Sequence, residues 1–472
     1  MASGGTWQTQ NKVRPGAYIN VVGVPKALST VGDRGVVALA MPLEWGGQVI
    51  EITSQELLGG DGLLKAGVAY TDRNFTPSQS PSTIECAPGF ALRLALQSAQ
   101  KAIVYRSNFT SAVKATLATI PSALEDIITS VKAKYAGAFG NRIKFNIESS
   151  GGQYILKTYI DDNLSGTTKS ATLTDLTGDS LIDIEYEEDA EYDDALATKR
   201  ALSGGTNGAS KDSNWLSSAI KEFNTRAFNV FYCEAESSDH AAIKAAVDDW
   251  RNGQGIKIQG VLLNDSTADD EGIINIASGV SYVLSDGDIV RPEQVGYMVA
   301  GITAGASLVQ SNTGAAVVDA IDLTGSSYPK TNDEIIAALN GGKFLLSRRS
   351  DGAIVVEKDI NSLHNFTPTH GYIFSKNRPL RVMDNVCNDV KLLFNKSYLG
   401  KVNNDDNGRN IFKGDLIAYC KDLERIGAIQ NFDAETDVEV LAGSNVDDVV
   451  VNLWIQPIDS MEKLYMTINV EG

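Results

Sequence analysis

The carboxyl end of the chain has the most regular alternation of apolar and polar residues. From 463 to 471 every second residue is apolar, and these residues are Leu464, Met466, Ile468 and Val470. A period of two predicts a β-strand with one apolar face. Residues 449–456 have the same period. The sequence therefore predicts two final strands, the second of which reaches almost to the last residue.

A period of three to four residues predicts helices in other segments. Pro379 begins one at 379–399, and a second amphipathic helix follows at about 414–426. Thr331 and Glu334 have the spacing of a capping box, which predicts a helix from 331 to about 339. Further helices are predicted at 239–250, at 272–278 and from Pro292.

The order of strands and helices changes along the chain. Within 206–355, the strands 228–233, 256–263 and 281–284 alternate with helices, and this order is typical of a parallel sheet. The segments 142–149 and 153–160 read as a hairpin in an all-β unit. Residues 121–135 combine helix propensity with alternation from Thr129 onward, so both interpretations stay open there. The acidic run 183–194 predicts a solvated edge or a linker.

These patterns predict a multidomain α+β protein. Its 472 residues suggest about three domains on length alone, and the patterns divide it more finely. The predicted pieces are an amino-terminal arm (1–24), a small amino-terminal domain (25–106), a β-sandwich domain inserted at 107–205, a central α/β domain (206–355), a carboxyl-terminal α+β domain (356–446), and carboxyl-terminal strands with a second arm (447–472).

Composition excludes several classes of protein. An apolar fraction of 43% supports folded cores. A net charge of −18 disfavours binding to nucleic acid or to anionic membranes. Four cysteines are too few for a disulfide framework. Residues 1–12 lack the apolar core of a secretion signal, and the apolar stretch around 297–309 is too short to cross a bilayer, so we expect no membrane insertion.

Motifs for chemistry are missing, so we predict no catalytic residue, no cofactor and no metal site. No phosphate-binding loop of the GxxxxGK[ST] type occurs. Residues 403–415 resemble a calcium loop except that Gly414 occupies the position of the bidentate carboxylate, and a polar turn is the better interpretation. We expect His240 to be exposed. We expect the four cysteines, Cys86, Cys233, Cys387 and Cys420, to be buried and inert.

The two ends of the chain have two interpretations. A polar segment leads into an apolar run at 17–24, and the final strand runs to the carboxyl end. Both could be ordinary members of the chain's own sheets. Alternatively, both could add strands to other copies, through main-chain hydrogen bonds worth about 0.5–1.5 kcal/mol each. Links at both ends of every copy would give an open lattice.

Several segments resemble one family, the contractile tail sheath proteins of phages and phage-tail-like (R-type) bacteriocins, in their Gram-positive form. Arg14-Pro-Gly-Ala-Tyr-Ile-Asn20 resembles the amino terminus of these proteins. The segment 133–143 resembles the entry to their β-sandwich, and 202–208 resembles the junction to their central domain. Residues 362–401 and the strands ending at Val470 resemble their carboxyl-terminal domain. Together the matches cover nearly the whole chain.

The resemblance implies a structural subunit rather than an enzyme. Sheath subunits form hexameric rings stacked helically around an inner tube, and the sheath contracts to drive the tube through a bacterial envelope. The implied partners are other copies of the chain, the inner tail tube protein, and baseplate and terminator proteins at the ends. The implied location is a phage tail or a tail-like particle, assembled in the bacterial cytoplasm and released by lysis.

The resemblance also assigns residues. It implies that a neighbour's amino-terminal arm and another neighbour's carboxyl-terminal arm complete a small sheet in each subunit. The residues expected to pair in these arms are Tyr18, Ile19, Val21, Leu464, Met466, Ile468 and Val470. The family grips its tube by charge through a carboxyl-terminal helix. The candidates for that contact are Arg378, Arg381, Lys391 and Lys396, on or beside the 379–399 helix.

Two alternatives remain. One is an α/β enzyme with a β-rich accessory domain, which would need polar side chains at the carboxyl ends of its central strands, such as Asn264 and Asp265. The other is a different phage structural protein, such as a tube or baseplate subunit, although tube proteins are normally shorter.

Overall fold

A computed structural model describes most of the chain. It covers residues 34–59, 88–209, 211–325, 328–329 and 331–470, together with the backbone of residues 4–5, 17–18, 74–75 and 85–86. The helices of these residues are α1 (Ser54–Gly59), α2 (Pro88–Leu96), α3 (Trp215–Phe223), α4 (His240–Asp248), α5 (Pro292–Gly305), α6 (Asn332–Asn340), α7 (Asn377–Leu393) and α8 (Asp406–Arg425).

The strands of the same residues complete the set of elements. They are β1 (Gly4–Gly5), β2 (Ala17–Tyr18), β3 (Val36–Met41), β4 (Val49–Thr53), β5 (Asn74–Phe75), β6 (Glu85–Cys86), β7 (Lys101–Arg106), β8 (Ile128–Ala133), β9 (Ile143–Ser150), β10 (Gln153–Ile160), β11 (Asn163–Ser170), β12 (Ile182–Tyr186), β13 (Arg200–Ala201), β14 (Val230–Cys233), β15 (Gln259–Leu263), β16 (Ile273–Ile276), β17 (Ser281–Leu284), β18 (Ile289–Val290), β19 (Ala320–Thr324), β20 (Lys343–Phe344), β21 (Leu346–Arg348), β22 (Ile354–Val356), β23 (Val438–Ala442) and β24 (Val449–Leu453).

Two compact units account for these elements. The larger contains Gly32–Asn388 and Pro457–Gly472, and the smaller contains Met1–Val31 and Asp389–Gln456. This division differs from the predicted boundaries at 355 and 446. In particular, β24 pairs with β23, so it belongs with the carboxyl-terminal domain rather than with an arm beginning at 447.

A seven-stranded sheet lies at the centre of the larger unit. Its order is β20-β16-β15-β14-β3-β7-β4, and every pairing is parallel except that of β4. Alternate residues of β3 enter the apolar cores on the two faces, one covered by α2 and α5 and the other by α3 and α4. Strands from 36–106 and from 230–344 therefore share one sheet. The prediction of a separate domain at 25–106 is wrong, because order within a sheet is set by non-local pairing.

The central sheet also shows that one predicted helix is wrong. Residues 272–278 were predicted to be helical, but Ile273–Ile276 is the buried strand β16, paired with β15 and β20. Isoleucine is β-branched and fits a strand that is covered on both faces. The helix predicted at 331–339 is confirmed as α6. There Thr331 and Glu334 make both hydrogen bonds of the capping box.

The β-sandwich is built from a four-stranded sheet, β11-β10-β9-β13, and the pair β12-β8 around one apolar core. The predicted hairpin is β9 and β10, joined by Gly151 and Gly152, both with positive φ. Within 121–135, a short 3-10 helix precedes β8, so the alternation was the better guide. The start of the acidic run is β12 rather than a linker. Trp45, from outside the predicted sandwich segment, also enters this core.

The smaller unit packs helices against a hairpin. Phe412 and Leu416 of α8 lie in one apolar cluster with Val438 of β23, and residues of β24 pack against that cluster. Helix α8 begins earlier than the predicted residue 414, because the Asp405 side chain accepts a hydrogen bond from the backbone N–H of Gly408 (2.8 Å). Most of the segment that resembles a calcium loop is therefore helical, which corrects the interpretation as a polar turn.

Candidate assembly interface

The hairpin β23–β24 is a two-stranded sheet, and no other strand of the described residues pairs with it. The backbone N–H of Trp454 donates to the carbonyl of Asp437 (3.0 Å), and that of Gly443 donates to the carbonyl of Asp448 (2.9 Å). Hydrogen-bonded pairs alternate along an antiparallel ladder, so these two bonds fix its phase. The backbone groups directed away from the partner strand are those of Val438, Val440 and Ala442 on one edge and of Val449, Val451 and Leu453 on the other.

The two faces of this hairpin differ. Its inner face packs on the apolar cluster of α8. Its outer face is solvent-exposed, with Leu441 at 43%, Val450 at 45% and Trp454 at 53% exposure. The hairpin is thus a short sheet with one covered face, an exposed outer face that carries three apolar side chains, and two edges that can accept further strands.

The carboxyl-terminal segment leaves its apolar residues uncovered. Leu464 is 84% exposed, Met466 69%, Ile468 73% and Val470 87%. Residues 463–470 belong to no strand of this chain, so the final strand predicted from the sequence does not form within a single copy. Alternating apolar residues that no described part of the chain covers are typical of a segment that another molecule covers.

A buried ion-pair cluster holds the base of this segment. The Lys376 side chain is 2% exposed, and its ammonium pairs with Asp459 (3.4 Å) and with Glu462. The Thr313 hydroxyl donates a second contact to Glu462 (2.7 Å). We call Lys376, Asp459, Glu462 and Thr313 the Lys376 clamp. Sequence reasoning missed it, because its members are separated by up to 149 residues and share no motif.

Of the predicted amino-terminal residues, only Tyr18 falls on a described strand. It is the end of β2, whose backbone pairs in parallel with β1. Ile19 and Val21 lie outside the described residues.

The predicted tube-contact residues do not share one environment. Lys391 and Lys396 are exposed and Arg378 is half-buried. Arg381 is 1% exposed, and its guanidinium donates to Asp359 (3.1 Å) and to the carbonyl of Gln310. The assignment of Arg381 to a surface contact is therefore wrong. Its position on the helix faces the interior, and the buried charge is paired there.

An α/β enzyme would need a polar site near Asp265, at the end of a central strand. The structure has a closed ion cluster there. The Asp265 side chain is 4% exposed, and it lies 3.0 Å from the Lys244 ammonium and 3.2 Å from a ring nitrogen of His240. Burial alone would raise the pKa of Asp265, but hydrogen bonds from the Thr267 backbone and from Lys244 lower it to about 2. The carboxylate is thus satisfied by the protein itself. His240 is buried, which corrects the expectation that it is exposed.

The remaining candidates for chemistry also have structural explanations. Burial raises the pKa of the Cys420 thiol to about 12 and also raises the pKa of Cys233, so both thiols stay protonated. Cys387 is exposed, contrary to expectation. Among the described residues, no three His, Cys, Asp or Glu side chains are arranged to hold a metal. None of the helices in that part of the chain could span a membrane.

Comparison with known proteins identifies two domains in the part of the chain from residue 208 onward. Residues 208–362 match the phage tail sheath protein central domain, and residues 370–471 match the phage tail sheath C-terminal domain. The chain is 30% identical to the phage-like element PBSX protein XkdK of Bacillus subtilis, over 99% of this chain and 100% of that protein.

Solved structures agree with these matches. The sheath tail protein of Desulfitobacterium hafniense has 31% identity and a TM-score of 0.74, over 96% of this chain and 99% of that one. The helical sheath of the anti-feeding prophage in its contracted state has 12% identity and a TM-score of 0.56, over 97% and 99% of the two chains, and it shares the fold alone. The matched families and folds are structural sheath proteins, not enzymes.

Proposed function

Because the chain belongs to the phage tail sheath family, we propose that it is the subunit of a contractile sheath. Its copies stack as hexameric rings around an inner tube and contract to drive that tube through a bacterial envelope. The tube, the baseplate and a terminator protein are its other partners. The sheath assembles in the bacterial cytoplasm, and lysis releases it as part of a tail or tail-like particle.

One observation supports this proposal most strongly. Among the described residues, no further strand pairs with either edge of the hairpin β23–β24, and nothing covers the apolar face of the carboxyl-terminal segment. The segment alternates with a period of two, which a strand added to such an edge requires. Together with the amino-terminal segment, it would complete a four-stranded sheet from three copies.

Rough energies indicate which part of the link is decisive. Three outward residues on an edge offer up to six hydrogen bonds, about 3–9 kcal/mol in total. Ordering five residues of the incoming strand costs about 5–10 kcal/mol. This entropic cost roughly cancels the stabilisation from the backbone hydrogen bonds. Burial of an apolar side chain contributes about 1.5–3 kcal/mol. Because four such side chains are available, we attribute most of the net stability of the link to Leu464, Met466, Ile468 and Val470.

The experiment is assembly of purified full-length chain, followed by sedimentation and negative-stain microscopy. We expect tubes or rings from the wild type, and dissociated copies after deletion of residues 1–16 or of the last ten residues. Ile468→Ser should weaken each link about 30-fold, from the loss of about 2 kcal/mol of apolar burial. Asn469→Ser, on the polar side of the same segment, is the matched control and should assemble normally. Polymers that survive both deletions would refute the proposed links.

The charge contact with the tube is proposed for Lys391 and Lys396, with Arg378 as a further candidate. Lys391 and Lys396 are exposed, as a contact with a separate protein requires. Arg381 is not included, because its guanidinium is buried against Asp359.

A further inference from the structure

The chain enters and leaves the β-sandwich through two connections. One follows β7 at 107–114, and the other follows β13 at 202–211. Relative motion is the default for two domains joined in this way, unless a large apolar surface holds them together. The orientation of the sandwich therefore depends on what the connections and their surroundings bind.

The two connections are hydrogen-bonded to each other. The backbone N–H of Val113 donates to the carbonyl of Thr206 (2.9 Å), and that of Thr206 donates to the carbonyl of Val113 (3.1 Å). The Asp212 carboxylate accepts hydrogen bonds from the backbone N–H groups of Thr110 (2.6 Å) and Ser111 (3.0 Å). The connections thus form one bonded ribbon, which can bend only if several of these bonds break together.

A third segment, the loop after β3, also reaches the sandwich. Trp45 of this loop is 1% exposed, and its ring lies 5.4 Å from that of Tyr135 and 5.2 Å from that of Phe139, between centroids. A Cβ at Gly137 would approach the Glu44 carbonyl to 1.8 Å, so the two backbones are in direct contact. The largest apolar side chains dominate the energy of a core, and the central part of the chain supplies one of them to the sandwich.

Arg106 connects all three segments. It is the last residue of β7 and is 0% exposed. Its guanidinium donates to the carbonyl of Gly46 (3.0 Å), to the carbonyl of Ala136 (2.8 Å) and to the side-chain oxygen of Asn108 (3.0 Å). The Asn108 amide donates in turn to the carbonyl of Asn207 (2.8 Å). One side chain therefore joins the end of β7 to the loop after β3, to the sandwich and to both connections.

The charge of Arg106 makes these contacts difficult to exchange. Burial lowers the pKa of Arg106 to about 10, and the charge of Asp212 opposes this shift only in part. The group is still a cation at pH 7. Among the described residues, its Nη2 atom has no hydrogen-bond partner, so no further bond is in reserve. A rotation of the sandwich would leave a buried cation with still fewer partners, which is strongly unfavourable.

We infer that the β-sandwich and the central sheet form one rigid body, in which Arg106 is the residue that positions the sandwich. The sandwich then keeps a single orientation relative to the central sheet, both in the separate chain and in a polymer. The inference concerns the single chain, so it stands or falls independently of the proposed function.

Distances between spin labels in the full-length chain test this inference. One pair crosses the joint, Lys169→Cys/Lys221→Cys, and a reference pair lies within the central domain, Lys221→Cys/Asn340→Cys; all three positions are exposed. Cys86 and Cys387 are replaced by serine, and labelled chain is diluted with unlabelled chain so that each distance comes from one copy. Double electron–electron resonance should give a distribution across the joint that is as narrow as the reference. A broad or two-peaked distribution beside a narrow reference would overturn the rigid body.

Substitutions at Arg106 test its positioning role. Arg106→Met should broaden the distribution across the joint and leave the reference pair unchanged. Arg106→Lys should also broaden it, because one ammonium cannot reach oxygens in three directions as the guanidinium fork does, and it covers the case in which the methionine variant does not fold. The matched control is Arg348→Met, which removes an arginine that is 53% exposed and should change neither distribution.

The outcomes separate positioning from simple stabilisation. A residue that only stabilised the fold would lower the melting temperature on replacement and leave the distance distribution narrow. If the wild type is narrow and the folded Arg106 variants are equally narrow, the role of Arg106 is wrong and the rigid body stands.

Discussion

Replacement of Lys376 by methionine should loosen the base of the carboxyl-terminal segment. The Lys376 side chain is 2% exposed, whereas Glu462 is 13% and Asp459 is 32% exposed. Removal of one partner from a buried ion pair costs about 3–5 kcal/mol. Because Asp459 can regain water, we expect the lower end of that range. We therefore expect the free energy of unfolding to fall by about 3 kcal/mol. In this variant the Thr313 hydroxyl is the remaining contact of Glu462 within the clamp.

A double-mutant cycle isolates this effect. Lys376→Met, Glu462→Gln and the chain with both changes are compared with the wild type by urea unfolding. All four chains end at Tyr465, so that the exposed apolar segment does not drive association. We expect the double replacement to cost less than the sum of the single ones by about 2 kcal/mol, because methionine no longer leaves a carboxylate unpaired. Strict additivity would show that the ammonium and Glu462 do not interact, and would refute the clamp.

Three further changes test other parts of the structure. Asp265→Asn should reduce the free energy of unfolding by about 2 kcal/mol at pH 7. The folded pKa lies below the unfolded one, so this contribution is present above about pH 4 and is lost as the pH falls towards 2, which urea unfolding across that range measures. Gly301→Val should lower the melting temperature markedly, because even a Cβ there would approach the Ala95 carbonyl to 2.2 Å. Lys391→Glu/Lys396→Glu should weaken co-sedimentation with the inner tube without preventing sheath assembly, and unchanged tube binding would exclude these lysines from that contact.

Most of the elements that local signals predicted are present in the structure. The capping box at Thr331 and Glu334 identified α6, because both of its hydrogen bonds are made within four residues. The two segments with a period of two at the carboxyl end had different outcomes. Residues 449–456 contain β24, while 463–470 form no strand within one copy. The period reports which residues share a face, and it does not report which molecule covers that face.

Features that depend on distant pairing could not be predicted. Nothing local to β3 indicates that it lies between β14 and β7, so the shared central sheet was divided into two domains. Arg381 has the helix position and charge of a surface residue until Asp359, 22 residues earlier, supplies its buried partner. His240 was expected to be exposed for the same reason, because Asp265 approaches it from another element of the chain.

The central claim is that each copy's hairpin is completed by strands from two other copies. Cryo-electron microscopy of the assembled full-length polymer, at a resolution that separates strands, tests it directly. We expect a four-stranded sheet in which residues of the 17–24 segment and of the 463–470 segment from different copies flank β23 and β24. A polymer whose β23 and β24 edges remain unpaired, or are paired within a single copy, would contradict the account.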